Sequence, residues 1–531
     1  MRNDITFALL AIALLFATTG CGVWPHTVKD ANGKTVDVPR RNIVMANSRG
    51  LPVDPTGNIW CQPKEDGWCN GLHTSVINYD VIPWSQFEDH MEELLGESLV
   101  HTSQKEKTRK IFIFIHGGLN TQVETVERAA KLQQKVKDKD YFPIFVNWQS
   151  SLVTSYKDHL LHIRQGEYWG DTFLGGLMGW ITAPFYLLGD VARGIANLPI
   201  DVGLMVRSDV STDPLYRDTK VVGAQSIGRR LFCDYDAAGH NQEHGNEPKC
   251  DPAKRSLNHI PIWIGRDDRT HSEMTVSGGK YLITFPTKLA ISPLLDAAGT
   301  SSWDSMLRAR SMLFRIENEY GKDGLLDPKR KGVMLALMEK MEALAKEKSL
   351  DLDITVVGHS MGAIVMNELI RRFPHLPFNH IIYMAAATSI RDYEDTIFFY
   401  LRQNWKAQVY HLVLHEASEA REAWDTYTPG IDLPPRGSLL VWIDDFLANP
   451  AAPLDRTVGR FTNLVPALEH TDNDTRDRIH VKAFRAGERA GPPLKHSEFT
   501  DPFHFWDSRC WEPKYDDKVF TECVVPLKKG P

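Results

Sequence analysis

The 531-residue chain is poor in cysteine, with seven in all, and has no CxxC pair or His/Cys cluster at ligand spacing. That absence argues against a structural zinc module, and no metal or organic cofactor is expected. A dominant charge is missing too: 61 Lys and Arg stand against 68 Asp and Glu, a net of −7. A global electrostatic drive toward nucleic acid is therefore absent, and nucleic acid is not an expected partner. There is no internal repeat, and 42% apolar with 24% charged residues excludes a disordered, fibrous or polytopic membrane chain. At roughly 100–200 residues per domain, the length allows several domains or one enlarged domain with a long insertion.

At the N-terminus, Arg2 precedes an apolar run, Ile5 to Phe16, and then Ala17-Thr18-Thr19-Gly20 leads to Cys21. Residues 1–20 read as a secretory signal. The small residues before Cys21 resemble a bacterial lipobox, in which cleavage precedes a cysteine that carries lipid, although Thr18 stands where such boxes usually have Leu. Gly22, not Asp, follows the cysteine, which in such lipoproteins favours the outer membrane. The expected product is exported and tethered to the cell envelope through Cys21, facing the periplasm or the surface; a simple cleaved signal or an uncleaved anchor is the rival reading. The other six cysteines fall into near neighbours. Cys61 with Cys69, Cys233 with Cys250, and Cys510 with Cys523 close the shortest loops, and an oxidising compartment permits these disulfides.

Residues 21–104 are rich in Pro, Gly, Asn and Asp and read as a loop-rich N-terminal segment. From 105 to 150 the pattern is strand, helix, strand: the solid run Ile111–Ile115, helical spacing from Val123 to Val136, then Phe142–Trp148. Residues 151–310 interrupt the alternation and read as an insertion. They include an uncharged stretch, Thr172 to Gly189, whose Gly175, Gly176, Gly179 and Pro184 speak against a membrane span. A cap or lid, an interfacial helix, or plain core are the readings for it. Alternation resumes over 311–531, with strands at Leu352–Val357, His380–Met384, Gln408–Leu414 and Ile479–Phe484 and a helical stretch around Leu439–Leu447.

The sharpest chemical signal is Gly358-His359-Ser360-Met361-Gly362, directly after one predicted strand and directly before a helical pattern. Its glycines let a sharp strand-to-helix turn close, which presents the Ser360 hydroxyl at the head of a helix. A nucleophilic serine also needs donors for the developing oxyanion. The amide of Met361, with that of Gly118 or Leu119 from His116-Gly117-Gly118-Leu119-Asn120 at the end of an upstream strand, could supply them.

Through Phe114-Ile115-His116-Gly117-Gly118, Val146-Asn147-Trp148 and Gly358-His359-Ser360-Met361-Gly362, the chain resembles the α/β-hydrolase superfamily, in particular bacterial serine esterases and lipases. The resemblance covers about 108–150 and 310–510. It implies a doubly wound, mostly parallel sheet interrupted by the large cap or lid insertion, and a triad in the order Ser, acid, His. Within that order His496, after the last strand, is the expected base, and it competes with His480 and His504. The expected acid is Glu419 or Glu416, just past Gln408–Leu414, with Asp392 a third candidate. The resemblance thus implies an ester-cleaving serine hydrolase acting on a hydrophobic ester or lipid. A phospholipase, an acyltransferase, or a catalytically silent envelope protein on the same scaffold are the alternatives. Oligomeric state is not legible.

Overall fold

The computed structural model describes residues 27–29, 35–37, 40–53, 84–100, 108–120, 122–164, 167–168, 173–210, 262–263, 293, 296–320, 326–414, 418–419, 422, 437–448, 450–469, 471–484, 493–500, 503–511 and 523. The strands that matter are β1 (Ile43–Ala46), β2 (Thr108–Ile115), β3 (Phe142–Trp148), β4 (Ile262–Trp263), β5 (Asp351–His359), β6 (Phe378–Met384), β7 (Gln408–Leu414) and β8 (Ile479–Phe484). The helices are α1 (Trp84–Val100), α2 (Gln122–Lys137), α3 (Leu152–Leu161), α4 (Phe173–Val210), α5 (Val333–Glu347), α6 (Gly362–Arg372) and α7 (Phe461–Glu469). The chain divides into two discontinuous units, one of residues 1–109, 118–187 and 301–351, the other of 110–117, 188–300 and 352–531.

In the first unit β1 pairs in parallel with β3, Ile43 opposite Phe145 and Ala46 opposite Trp148. Asn42 ties the entry to β1 by donating its amide to Pro143 O at 2.9 Å. Segment 21–104, expected to be loop-rich, holds among its described residues the short antiparallel pair Thr27–Lys29 with Thr35–Asp37, the strand β1 and a 17-residue helix. In α1, Phe87, Met91, Leu94 and Leu95 are buried, the i, i+4, i+7, i+8 spacing of one helix face, and α1 packs on α5. A short antiparallel hairpin, Ile316–Tyr320 with Leu326–Lys331, was also outside the expectation.

The second unit is α/β with a mostly parallel sheet, its strands ordered β2-β5-β6-β7-β8-β4. The pairs β5–β6, β6–β7, β7–β8 and β8–β4 are all parallel. Ile111 to Ile115 of β2 are buried without interruption, as a strand covered on both faces requires. Helix α6 follows β5 and buries Val365, Met366, Leu369 and Ile370, while Arg371 and Arg372 in its last turn complement the C-terminal dipole end. The predicted helix near Leu439–Leu447 is one α-helical turn, Leu439–Trp442, running into a π-helical turn, Ile443–Leu447. Cys510 and Cys523 form the expected disulfide; Cys21, Cys61, Cys69, Cys233 and Cys250 lie outside the described residues.

Candidate active site

Ser360 sits between the end of β5 and the first turn of α6 with φ +52, a left-handed conformation that costs a non-glycine residue energy. The surroundings hold it there. Its N–H donates to Met384 O at 2.9 Å, and its carbonyl accepts from Ala387 N at 3.0 Å and Ala363 N at 3.1 Å. The turn closes because α6 lies almost on the backbone of β2: a β-carbon at Gly362 would fall 2.1 Å from Ile115 O. At Gly358 it would fall 2.7 Å from Ala363 Cα. The two flanking glycines of the motif are thus set by steric room.

The Ser360 side chain is fully buried, and its Oγ has no hydrogen-bond partner among the described residues. Gly117, at the end of β2, lies against it; a β-carbon there would be 2.7 Å from Ser360 Cβ and 3.0 Å from His359 Nδ1. His359 Nε2 donates to the carbonyl of His496 at 3.1 Å, and the two imidazole rings are 5.0 Å apart between centroids. His496 opens the 3-10 turn His496–Phe499 beyond β8. Both of its ring nitrogens are buried without a hydrogen-bond partner, and burial pushes its pKa down to about 4. The ring is therefore neutral at pH 7 and able to accept a proton.

The acidic side of the site is built from the segment after β7. Glu419 is fully buried, its carboxylate accepting from the Ser438 hydroxyl and its carbonyl from Ser438 N at 2.7 Å. Glu422 was not anticipated. Its Oε2 accepts the His496 backbone N–H at 2.8 Å, which fixes the histidine loop from below, and burial raises its pKa to about 7 against the lowering effect of that same bond. A carboxylate three residues beyond Glu419, at helical spacing, was the signal available for it. Glu416 lies outside the described residues. Comparison with family models, with curated proteins and with solved structures finds no match.

The structure thus brings Gly117, His359, Ser360 and the His496 loop together. No hydrogen bond links Ser360 Oγ to His496 or the His496 ring to Glu419. One expected oxyanion donor is withdrawn: Leu119 N–H already donates to Ser150 O at 2.8 Å. Met361 heads α6, where the first amides have no intrahelical acceptor. The rival residues are engaged elsewhere. His480 bonds Gln408 Oε1 at 2.9 Å and stacks on Tyr410, and His504 packs its ring on Trp506. Asp392 accepts from Asn367 at 2.8 Å, from Thr388 at 2.9 Å and from Arg371. Among the described residues, no group of three or more His, Cys, Asp or Glu could hold a metal ion.

Proposed function

We propose that the chain is an exported, membrane-tethered serine hydrolase of the α/β-hydrolase type that cleaves carboxylic esters of hydrophobic or lipid substrates. The observation that carries this reading is Ser360: a buried hydroxyl with no hydrogen-bond partner, on a backbone held at positive φ where a strand turns into a helix. Such strain and such an unused polar group are costly, and nucleophile elbows are where proteins keep them.

In the proposed reaction Ser360 Oγ adds to the ester carbonyl carbon while His496 takes its proton. Collapse of the tetrahedral intermediate expels the alcohol, which receives that proton from His496 and leaves an acyl-enzyme. Water, deprotonated by His496, then releases the acid and restores Ser360. Glu419 is the residue proposed to hold the imidazole, with Glu416 its rival. The Met361 amide and the turn that begins at Gly117 supply the oxyanion donors. The step requires His496 to close on Ser360 when substrate binds, as triads that are loose without substrate do.

One observation favours a second reading, a scaffold that binds a lipid or partner without catalysis: Ser360 Oγ and the His496 ring are not hydrogen-bonded. Fluorophosphonate labelling of the full chain separates the two. Catalysis predicts a covalent adduct lost in both Ser360→Ala and His496→Ala; well-folded protein that takes no label, with or without detergent micelles, would establish the binding scaffold.

A further inference from the structure

Helix α4 is turned inside out. A surface helix of a soluble domain sends its apolar face inward and its polar face to water. In the part of α4 within the first unit the large apolar side chains Leu174, Leu177, Met178, Ile181 and Phe185 are all exposed, Leu174 and Phe185 each to 71%. At 100° per residue these five share an arc of roughly 100°. The opposite face carries Gly175, Gly179, Thr182 and Tyr186. It is fixed to the protein by polar contacts: a β-carbon on Gly179 would lie 1.9 Å from Leu161 O. Arg164 donates to Gly179 O at 3.1 Å and Thr182 Oγ1 at 3.0 Å and lies 4.2 Å from the Tyr186 ring centroid.

We propose that this face is seated in the interfacial layer of a lipid bilayer, with α4 lying in the membrane plane. Three observations select lipid over a protein partner. The exposed arc is a ridge with no charged residue from Phe173 to Gly189, so it offers none of the polar rim that gives a protein interface its register. Lipid tails require no such rim. Trp180, 67% exposed and about 60° beyond one side of the arc, is the residue type that settles at the headgroup boundary. The chain also carries, outside the described residues, the apolar run Ile5–Phe16 and the lipobox-like Cys21. A lipid anchor at Cys21 would hold the chain at a membrane surface, within reach of the apolar arc of α4; in this respect the inference rests on the envelope location proposed above. A transmembrane role is not part of it, since among the described residues no helix is long and apolar enough to cross a membrane.

The test is a photocrosslinking residue, benzoylphenylalanine, placed at Phe185 of the full chain and reconstituted into phosphatidylethanolamine/phosphatidylglycerol vesicles that contain radiolabelled lipid. The same residue at Trp405, 77% exposed in the second unit, is the control. Lipid adducts are expected to be roughly ten-fold more abundant at 185 than at 405, as for a side chain that dips below the headgroups. A crosslinked dimer at 185, equal lipid adducts at the two positions, or no adduct at 185 would each overturn the proposal. The readout needs no catalysis, so its failure is distinct from failure of the serine-hydrolase reading.

Discussion

A serine whose buried hydroxyl bonds to nothing lends the fold no hydrogen-bond stability. Replacing Ser360 with Ala removes no hydrogen bond and leaves the strained φ in place. Ser360→Ala is therefore expected to abolish fluorophosphonate labelling while changing unfolding free energy by less than about 0.5 kcal/mol in a urea titration; a clear loss of stability would mark the residue as structural. His496 gives a second expectation. A histidine that titrates normally loses half its basic form near pH 6.5, whereas burial sets this one at about 4. The rate of labelling should thus persist as pH falls through 6 and drop by half only near pH 4. A half-point near 6.5 would show that the ring opens to solvent or gains a carboxylate partner before it reacts.

Among elements, the segment Ser438–Glu469 is held by one buried pair. Asp444 accepts Arg460 Nη1 at 3.2 Å, Asn463 Nδ2 at 2.9 Å and the Thr457 amide at 2.8 Å, and Asp444 and Arg460 are both buried. Residues 457–460 in turn run along the loop after β6, with Val458 N donating to Thr388 O and Gly459 N to Ala386 O, each one residue from Ala387, whose N–H donates to Ser360 O. Asp444→Ala removes the buried carboxylate that accepts from Arg460, Asn463 and the Thr457 amide and is expected to cost about 3–5 kcal/mol of stability, read from urea unfolding. A cost under about 1 kcal/mol would mean that water enters and solvates Arg460. Six strands were legible from sequence because parallel strands covered on both faces write themselves as solid runs: β3, β7 and β8 have the bounds read from their residues, and β2, β5 and β6 contain the predicted runs, whereas the two-residue β4 was not read. β1 was not legible, since four residues between Asn42 and Asn47 are too few to show a period. The site was legible where one residue type in one turn decides it, at Ser360 and its glycines. It was not legible where a side chain acts through another residue's backbone, as Glu422 does on His496.

At the scale of the whole molecule, opposed titrations shape the pH dependence of folding. His411 and His496 are buried and His480 is half-buried, and desolvation lowers the pKa values of His411, His480 and His496 to about 3, 4 and 4 respectively, so folding prefers them neutral. The stability they lend is full above the ordinary value of 6.5 and is lost as pH falls toward 4. Glu422 is raised from 4.5 to about 7 and works in the other sense: its contribution is full below 4.5 and disappears as pH rises to 7. Three groups gain stability with pH against one that loses it, so the melting temperature is expected to rise from pH 4 and level off above about 7, and Glu422→Gln, which stays neutral and keeps an acceptor for His496 N–H, should steepen that rise between 4.5 and 7. A melting temperature flat from pH 4 to 8 in scanning calorimetry would show that the buried histidines open to water.

The interleaving of the two units has a consequence in time. β2 leaves the ribosome early, yet β5, the strand it pairs with, is made only after every residue of the first unit through Asp351. Neither the sheet of the second unit nor the turn that holds Ser360 can close until β5 has been made. Long-range parallel pairing is slow to form in any case. In a chain built in this order the solid apolar run of β2 waits without its β5 neighbour until late in synthesis, an interval in which an uncovered strand is prone to aggregate.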